Sequence, residues 1–394
     1  MITVEQAQEL CLDLVRSGPS ETVALADALG RTLAAPMRAK RDQPPFSASS
    51  MDGYAVCEAA QGRTLTIIAE AAAGHGWAGT VQPDQAVRIF TGAPVPDGAT
   101  RVVIQENTTR DGDQITLTEP LTQNINIRPQ GADFTSDFKL IAPRRLTPAD
   151  LALIAAMNHA VVRVARRPKV ALIATGDELL MPGGDPSPDQ IIASNIFALQ
   201  AMLQQTGAEP RVLPITADTA QALDASLTQA TDWGADIVVT IGGASVGDHD
   251  LVAPALDRFG VIRSFHKITM RPGKPLMAGS KGGTAFLGLP GNPVSAVVCG
   301  HLFLLPMVRR ALGLADVLPP ALAARACTPM RAGGPRAHYM RARFDEGPDG
   351  RMVTAFDKQD SSMLTVLADA NCLLLRPIDD GPKAAGDMVT IYPI

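Results

Sequence analysis

Apolar residues recur at helical spacing over 3–16 (Val4, Ala7, Leu10, Cys11, Leu14) and again over 22–29 (Val23, Leu25, Ala28, Leu29). Gly30 then reads as a stop, so two helices are expected to open the chain. From Arg63 to Ile127 the rhythm changes to short runs, LTIIAE, AVRIF, RVVIQE and QITL, set between Gly, Pro and Asp. That is the texture of a small, mostly antiparallel β domain. Helix is expected to return at Thr147-Pro148, where a threonine N-cap and a proline at the first helical position precede ADLALIAAMNH.

A second rhythm begins at Lys169. Near-continuous apolar strands over 170–175, 209–215, 235–242, 261–268 and 284–290 alternate with helical stretches at Asn195 to Gln205, Thr219 to Thr231, Leu251 to Arg258 and Val294 to Leu312. The alternation predicts a doubly wound, mainly parallel sheet. After the prolines near Leu318, strand-like runs fill 321–394 and read as a small β-barrel. The expected fold class is therefore α/β multidomain. Its units are a helical linker domain (1–45 and 140–168), a β-rich domain (46–139), the α/β domain (169–315) and the C-terminal barrel (316–394).

Composition narrows the function. A chain of 394 residues exceeds what one core fills, and 46% hydrophobic against 19% charged residues excludes wholesale disorder. A net charge of −5 argues against nucleic acid or an anionic membrane as partner, so any bound anion needs a local site. The five cysteines, Cys11, Cys57, Cys299, Cys327 and Cys372, are scattered singly, which suggests neither a zinc site nor a disulfide framework. No basic segment precedes an apolar run at the start, and the runs 151–165 and 296–308 read as too short to span a bilayer. A cytoplasmic location is expected.

In open α/β sheets ligands gather beyond the carboxyl ends of the strands. Each loop there is polar: Thr175 to Leu179, Thr216 to Thr219, Gly242 to Asp250, Lys267 to Lys274 and Leu289 to Ser295. The glycines Gly242, Gly243 and Gly247, with the Ser245 hydroxyl, present donors suited to an oxyanion, although neither a Walker nor a dinucleotide fingerprint is present. Lys267, Arg271 and Lys274 add cations around a Pro-Gly turn. Glu178, Asp218, Asp248 and Asp250 bring carboxylates to the same edge, the pattern that holds Mg²⁺ beside phosphates. Three further loops, around Asp52-Gly53, Thr91 and Gly131 to Phe134, have no purpose that composition supplies. Asp52-Gly53 itself reads as an ordinary turn pair.

The ordered set Ser50-Met-Asp-Gly-Tyr-Ala55, Thr91-Gly-Ala-Pro-Val-Pro96, Thr175-Gly-Asp-Glu-Leu179, Gly242 to Asp250 and Leu289-Pro-Gly-Asn-Pro-Val-Ser295 resembles the MoeA family, which includes the gephyrin E domain. The resemblance runs over nearly the whole chain. It implies a molybdopterin molybdotransferase that inserts molybdate into adenylylated molybdopterin, releasing AMP in a Mg²⁺-dependent step. It further implies an elongated homodimer with a MogA-like third subdomain, and a molybdopterin adenylyltransferase as candidate partner. Carried over by position, the acidic site residues are Asp52, Asp133, Glu178, Asp218 and Asp250, with Glu178, Asp218 and Asp250 as metal ligands. Thr91 is the motif threonine, Lys267 and Arg271 are the basic pair, and Pro290, Gly291, Asn292, Pro293 and Ser295 form the binding loop. Arg271 departs from the usual lysine, keeping the charge but changing the donor geometry. An adenylyltransferase and a gephyrin-like scaffold are the alternative readings, and the domains outside the α/β unit favour insertion over the first.

Overall fold

The structure, a computed structural model of the chain, describes residues 1–243, 251–348 and 350–394. Helix Val4–Asp13 forms as expected. Thr3 caps it in a reciprocal box with Gln6, and its apolar face packs on the core of the α/β domain. The second expected helix does not form. Ser20–Ala24 is a strand followed by a single 3₁₀ turn, Leu25–Asp27, and Val23 sits opposite Val162 of the antiparallel strand Val161–Ala165. Cross-strand pairing thus overrides the helical spacing. With Thr32–Leu33 and Arg144–Arg145 these strands make a four-stranded sheet, against which helix Pro148–Ala156 packs, capped by Thr147 and Asp150.

The β-rich region is a six-stranded sheet with an apolar cluster on each face, antiparallel except where Thr64–Ala71 runs parallel to Gln85–Ile89. Asp52-Gly53 opens a central strand, Gly53–Val56, rather than a turn. Glycine is required there because a Cβ would stand 2.0 Å from the Val103 carbonyl oxygen.

In the α/β domain the strand order is Glu209–Val212, Lys169–Ala174, Ile237–Ile241, Thr284–Leu289, Met277–Lys281 and Ile262–His266. The first four are mutually parallel, Met277–Lys281 runs antiparallel to both its neighbours, and Ile262–His266 has the direction of the first four, so the expected sheet is present with one additional strand, Met277–Lys281. Five C-terminal strands close a barrel, Ala337–Gly347 pairing with both Gly350–Ala355 and Cys372–Arg376. Ala337, Tyr339 and Leu373 of the barrel join the α/β core, which ties the two domains together. All five cysteines are free thiols.

Among the described residues one helical stretch, Pro293–Ala311, is long and apolar enough to cross a membrane, which corrects the shorter run read from the sequence; it is 83% buried inside the fold and serves as its core helix. A π turn, Gly300–Leu304, lies within it just ahead of Pro306, where a regular ladder would need the N–H that proline lacks. On that turn, burial and then Arg309 push the His301 imidazole down to about 4. Its folded value lies below its unfolded one, so between them the unfolded chain binds more protons. Stability should therefore fall as pH drops from about 6.5 to about 4, by roughly 1–3 kcal/mol from this group. The urea midpoint of wild type should drop more steeply over that window than that of His301→Gln; parallel curves would refute the assignment.

Candidate functional site

The carboxyl ends of the parallel strands are stitched to one another by main-chain bonds. Thr175 N–H donates to the Ile241 carbonyl at 3.1 Å, Gly176 N–H to Thr216 at 3.2 Å and Gly242 N–H to Leu289 at 3.1 Å. A cleft of about 620 Å³ opens above this edge, lined by Thr175, Gly176, Glu178, Asp218, Gly242, Gly243, Pro290, Gly291, Asn292 and Pro293 among others. Its floor has no room for side chains. A Cβ on Gly243 would meet Val252 at 2.5 Å and the Thr175 hydroxyl at 3.1 Å, and one on Gly176 would meet the Glu178 carboxylate at 2.5 Å. Gly242 and Gly243 also hold positive φ, 95° and 61°, which side chains resist.

Two features give the cleft its electrostatics. The Thr175 hydroxyl is buried with no hydrogen-bond partner among the described residues. Asp218 has its carboxyl pushed above the usual range, first by partial burial and then by the charges of Asp177 and Glu178. Its own N–H donates to Asp177 Oδ1 at 3.1 Å. Surplus negative charge beside an unpaired hydroxyl suits an oxygen-ligated cation. Among the described residues no three His, Cys, Asp or Glu side chains form a complete metal cage. Two carboxylates with room for a phosphate match Mg²⁺, which shares its coordination with substrate. Asp250, Ser245, Gly247 and Asp248 lie outside the described residues.

Other sequence-read residues stand elsewhere. Asp52 and Thr91 meet on the β-rich sheet, where Asp52 Oδ1 accepts both the Thr91 N–H and its hydroxyl at 2.7 Å. Those bonds, with Arg88 nearby, hold the Asp52 carboxyl below its ordinary range. Asp133 is exposed on a separate turn, its N–H donated to Gln43. Ser295 is 4% exposed inside its helix and does not line the cleft. Lys267, with φ 75°, and Lys274 flank the turn that brings Pro275 to the cleft wall, while Arg271 faces the barrel.

The structure adds residues that no motif marked. Asn195 Nδ2 donates to the Gly291 carbonyl at 2.7 Å, fixing the Pro-Gly-Asn-Pro loop to the start of helix Asn195–Thr206. Asn292 Nδ2 donates to Ser361 Oγ at 3.0 Å, and Ser362 of the barrel lines the cleft. The serines are placed by Arg341, 1% exposed, whose guanidinium donates to the Asp360 carbonyl at 2.6 Å and to Gln359 Oε1 at 3.1 and 3.2 Å. Nothing local marks Ser361 and Ser362, which sit in a polar run of the kind that is usually a loop.

Comparison with known proteins follows the same division. Residues 2–158 match the MoeA N-terminal region (domain I and II), 171–310 a probable molybdopterin binding domain, and 323–394 the MoeA C-terminal region (domain IV). A molybdopterin molybdenumtransferase of Nostoc sp. is 35% identical over 95% of this chain and 89% of its own length. One from Haemophilus influenzae is 32% identical over 100% and 98%. The crystal structure of a molybdopterin biosynthesis MoeA protein from Pyrococcus superposes with a TM-score of 0.85 at 28% identity, over 100% of this chain and 99% of that one.

Replacing Arg341 with Met should leave the Asp360 carbonyl unpaired and leave the Gln359 oxygen only the main-chain N–H of residue 341, at about 1–3 kcal/mol. Amide exchange over 358–363, and at Val294, whose N–H bonds the Ser361 carbonyl, should then quicken at least about tenfold while the parallel strands hold. Unchanged exchange there would show that the serines are placed by something else.

Proposed function

The chain belongs to the MoeA family of molybdopterin molybdenumtransferases, transferases of molybdenum cofactor biosynthesis, and on that premise we propose that it inserts molybdate into adenylylated molybdopterin with release of AMP, using Mg²⁺, at a site shared by two copies of the chain. The observation that supports this best is the meeting of Glu178, Asp218, the Thr175 hydroxyl and the glycine floor in one cleft. In the proposed reaction water cleaves the phosphoanhydride and AMP departs, while the two dithiolene sulfurs replace two molybdate oxygens, which leave as water with the thiol protons and two protons from solvent, molybdenum keeping its oxidation state.

Each group then has a task its position suits. Glu178 and Asp218, with Asp250, would hold Mg²⁺, which when bound neutralises charge on the phosphates. Gly242 and Gly243 let substrate phosphate approach the main chain closely, as bulkier residues would not. Asn292 and Ser361 keep the Pro-Gly-Asn-Pro loop and the barrel at a fixed separation, so the cleft is preorganised. Lys267 supplies a cation at the loop beside it. No protein thiol is needed as a molybdenum ligand, in keeping with five free and scattered cysteines.

Asp52 and Thr91 do not line the cleft of their own chain, which motivates the homodimer. Asp52 keeps one carboxylate oxygen free while Thr91 fixes the other, so it is a rigid group facing outward. In the proposed assembly it completes the cleft of the partner subunit. A biosynthetic location in the cytoplasm and delivery of substrate by an adenylyltransferase belong to the same proposal.

Asp52→Ala and Glu178→Ala should each fold normally and lose AMP release by at least about a hundredfold, the loss expected when a preorganised charge is removed. Mixed in equal amounts and reassembled, the two inactive variants should regain about a quarter of wild-type activity, because half of the dimers would carry one intact site. No recovery on mixing would place Asp52 outside the partner's site. AMP release from a metal-stripped sample, unaffected by added Mg²⁺, would remove the metal role.

A further inference from the structure

The β-rich region joins the linker domain through two crossings of the chain, near residues 40–45 and 134–139, and the second of them carries Asp133 at its edge. The crossings are bonded to each other. Gln43 N–H donates to the Phe134 carbonyl at 2.8 Å, Asp133 N–H to the Gln43 carbonyl at 2.9 Å, and Gly131 N–H to the Pro44 carbonyl at 2.9 Å. Phe134 is buried in the apolar core of the linker domain, its ring 5.6 Å from that of Phe138. Asp133, the residue before it, is exposed. One residue anchors the turn and its neighbour is held out from it.

A single carboxylate closes the base of this turn. Asp42 Oδ1 accepts the Ser136 N–H at 2.7 Å and Oδ2 accepts the Gln130 amide at 2.8 Å, so its two oxygens take hold of both ends of the segment 130–136, with Asp133 in the middle. Those bonds, Ser136 first and then Gln130, hold the Asp42 carboxyl below its ordinary range. Among the described residues neither Asp42 nor Asp133 has a Lys, Arg or His within 4 Å. The charge of Asp42 is therefore directed at the loop alone, where an ionised acceptor bonds more strongly than a neutral one. The turn is tight as well: Gly131 holds φ 70°, and a Cβ there would meet the Thr135 methyl at 3.0 Å.

We propose that Asp42 is a positioning residue: by clasping both ends of the segment 130–136 it holds Asp133 in the orientation that the shared site requires. At Asp52 a similar result is reached by a shorter route, since Thr91 fixes one carboxylate oxygen directly and leaves the other free. At Asp133 the main chain is fixed instead, and the side chain follows. An exposed carboxylate on a loose loop visits many orientations, and ordering it at each turnover forfeits part of the rate that a preorganised charge supplies. The task of Asp133 rests on the transferase reading; the clasp rests on the bonds of Asp42.

Two measurements on the full chain test this. Amide exchange over 131–136 should quicken at least about tenfold in Asp42→Ala while exchange in the parallel strands holds. In AMP release from adenylylated molybdopterin with molybdate, Asp42→Ala and Asp133→Ala should each lose at least about tenfold, the scale on which a misplaced group is felt. The double variant should lose no more than about twofold beyond Asp133→Ala, because Asp42 then has nothing left to position, whereas a role in folding alone would make the two losses multiply. Asp42→Asn keeps an oxygen for the Ser136 N–H and, with the Gln130 amide turned over, a donor for it, so this variant should recover most of the loss. An Asn variant as poor as the Ala one would make Asp42 a charge in its own right and overturn the proposal. Unchanged exchange in Asp42→Ala, multiplied losses in the double variant, or an Asp133→Ala chain as active as wild type overturn it too, and each leaves the transferase reading standing. A wild type that releases no AMP sinks that reading and the task of Asp133 with it, while exchange still decides the clasp.

Discussion

A buried guanidinium sets the relation between barrel and sheet. Arg341 has given up nearly all of its solvent, and among the described residues no carboxylate lies within 4 Å to compensate. Its guanidinium instead makes four bonds to carbonyl and amide oxygens of one short loop, 358–360. A cation satisfied this way is tolerable only if the oxygens stay in place, so the loop becomes rigid. The rigidity passes on through Ser361, which takes the Asn292 amide and offers its carbonyl to Val294. Asn292 in turn belongs to the loop that Asn195 fixes from the other side. The cleft is thus a product of the C-terminal domain as much as of the parallel sheet on which it sits.

That dependence explains what could be read in the chain and what could not. The parallel strands were legible because their apolar runs are nearly continuous, as strands covered on both faces must be. Their loops were legible as a site because a doubly wound sheet directs its polar connections to one edge, and Glu178, Asp218, Gly242 and Gly243 do line a single cleft there. Strand Met277–Lys281 was hidden: its Met-Ala-Gly-Ser-Lys run carries a glycine and a charge, and its place is secured by the antiparallel partners on either side. The segment 22–29 failed for the opposite reason, since its helical spacing is real but its partner, Val161–Ala165, lies far along the sequence. Asp52-Gly53 misled because glycine is used there for close approach of two strands, a demand that a turn-based reading does not contain. Ser361 and Ser362 carry no local signal at all, for their role is assigned by a buried arginine about twenty residues earlier in the chain, through contacts that only the folded barrel creates.

Two clefts, that at the strand ends and one of about 610 Å³ where Arg271 meets the barrel, also resolve an apparent conflict between composition and chemistry. A protein of net charge −5 offers no general attraction to polyanions, yet the proposed substrates are anionic. The charge is partitioned instead. Burial first, and then the charges of Asp177 and Glu178, push the Asp218 carboxyl up in the strand-end cleft, while burial first, and then Arg271, Arg341, Arg376 and Arg336, push the His338 imidazole down in the cleft against the barrel. The neighbouring charges that add to the two shifts have opposite sign.

One segment serves both. Between Lys267 and Leu276 the chain turns so that Pro275 meets the acidic cleft and Arg271 the basic one. Its freedom is small: Lys267 N–H is held by the Leu276 carbonyl at 2.8 Å, Ile268 N–H by Lys274 at 3.0 Å, and a Cβ on Gly273 would stand 2.4 Å from the Cys299 sulfur of the core helix. Lys267 accepts a left-handed backbone conformation within this turn, at a cost that its surroundings must impose. A turn so constrained cannot shift toward one cleft without disturbing the other. The separation between the acidic cleft and the basic one is therefore built into the main chain, and neither can be widened without moving the other.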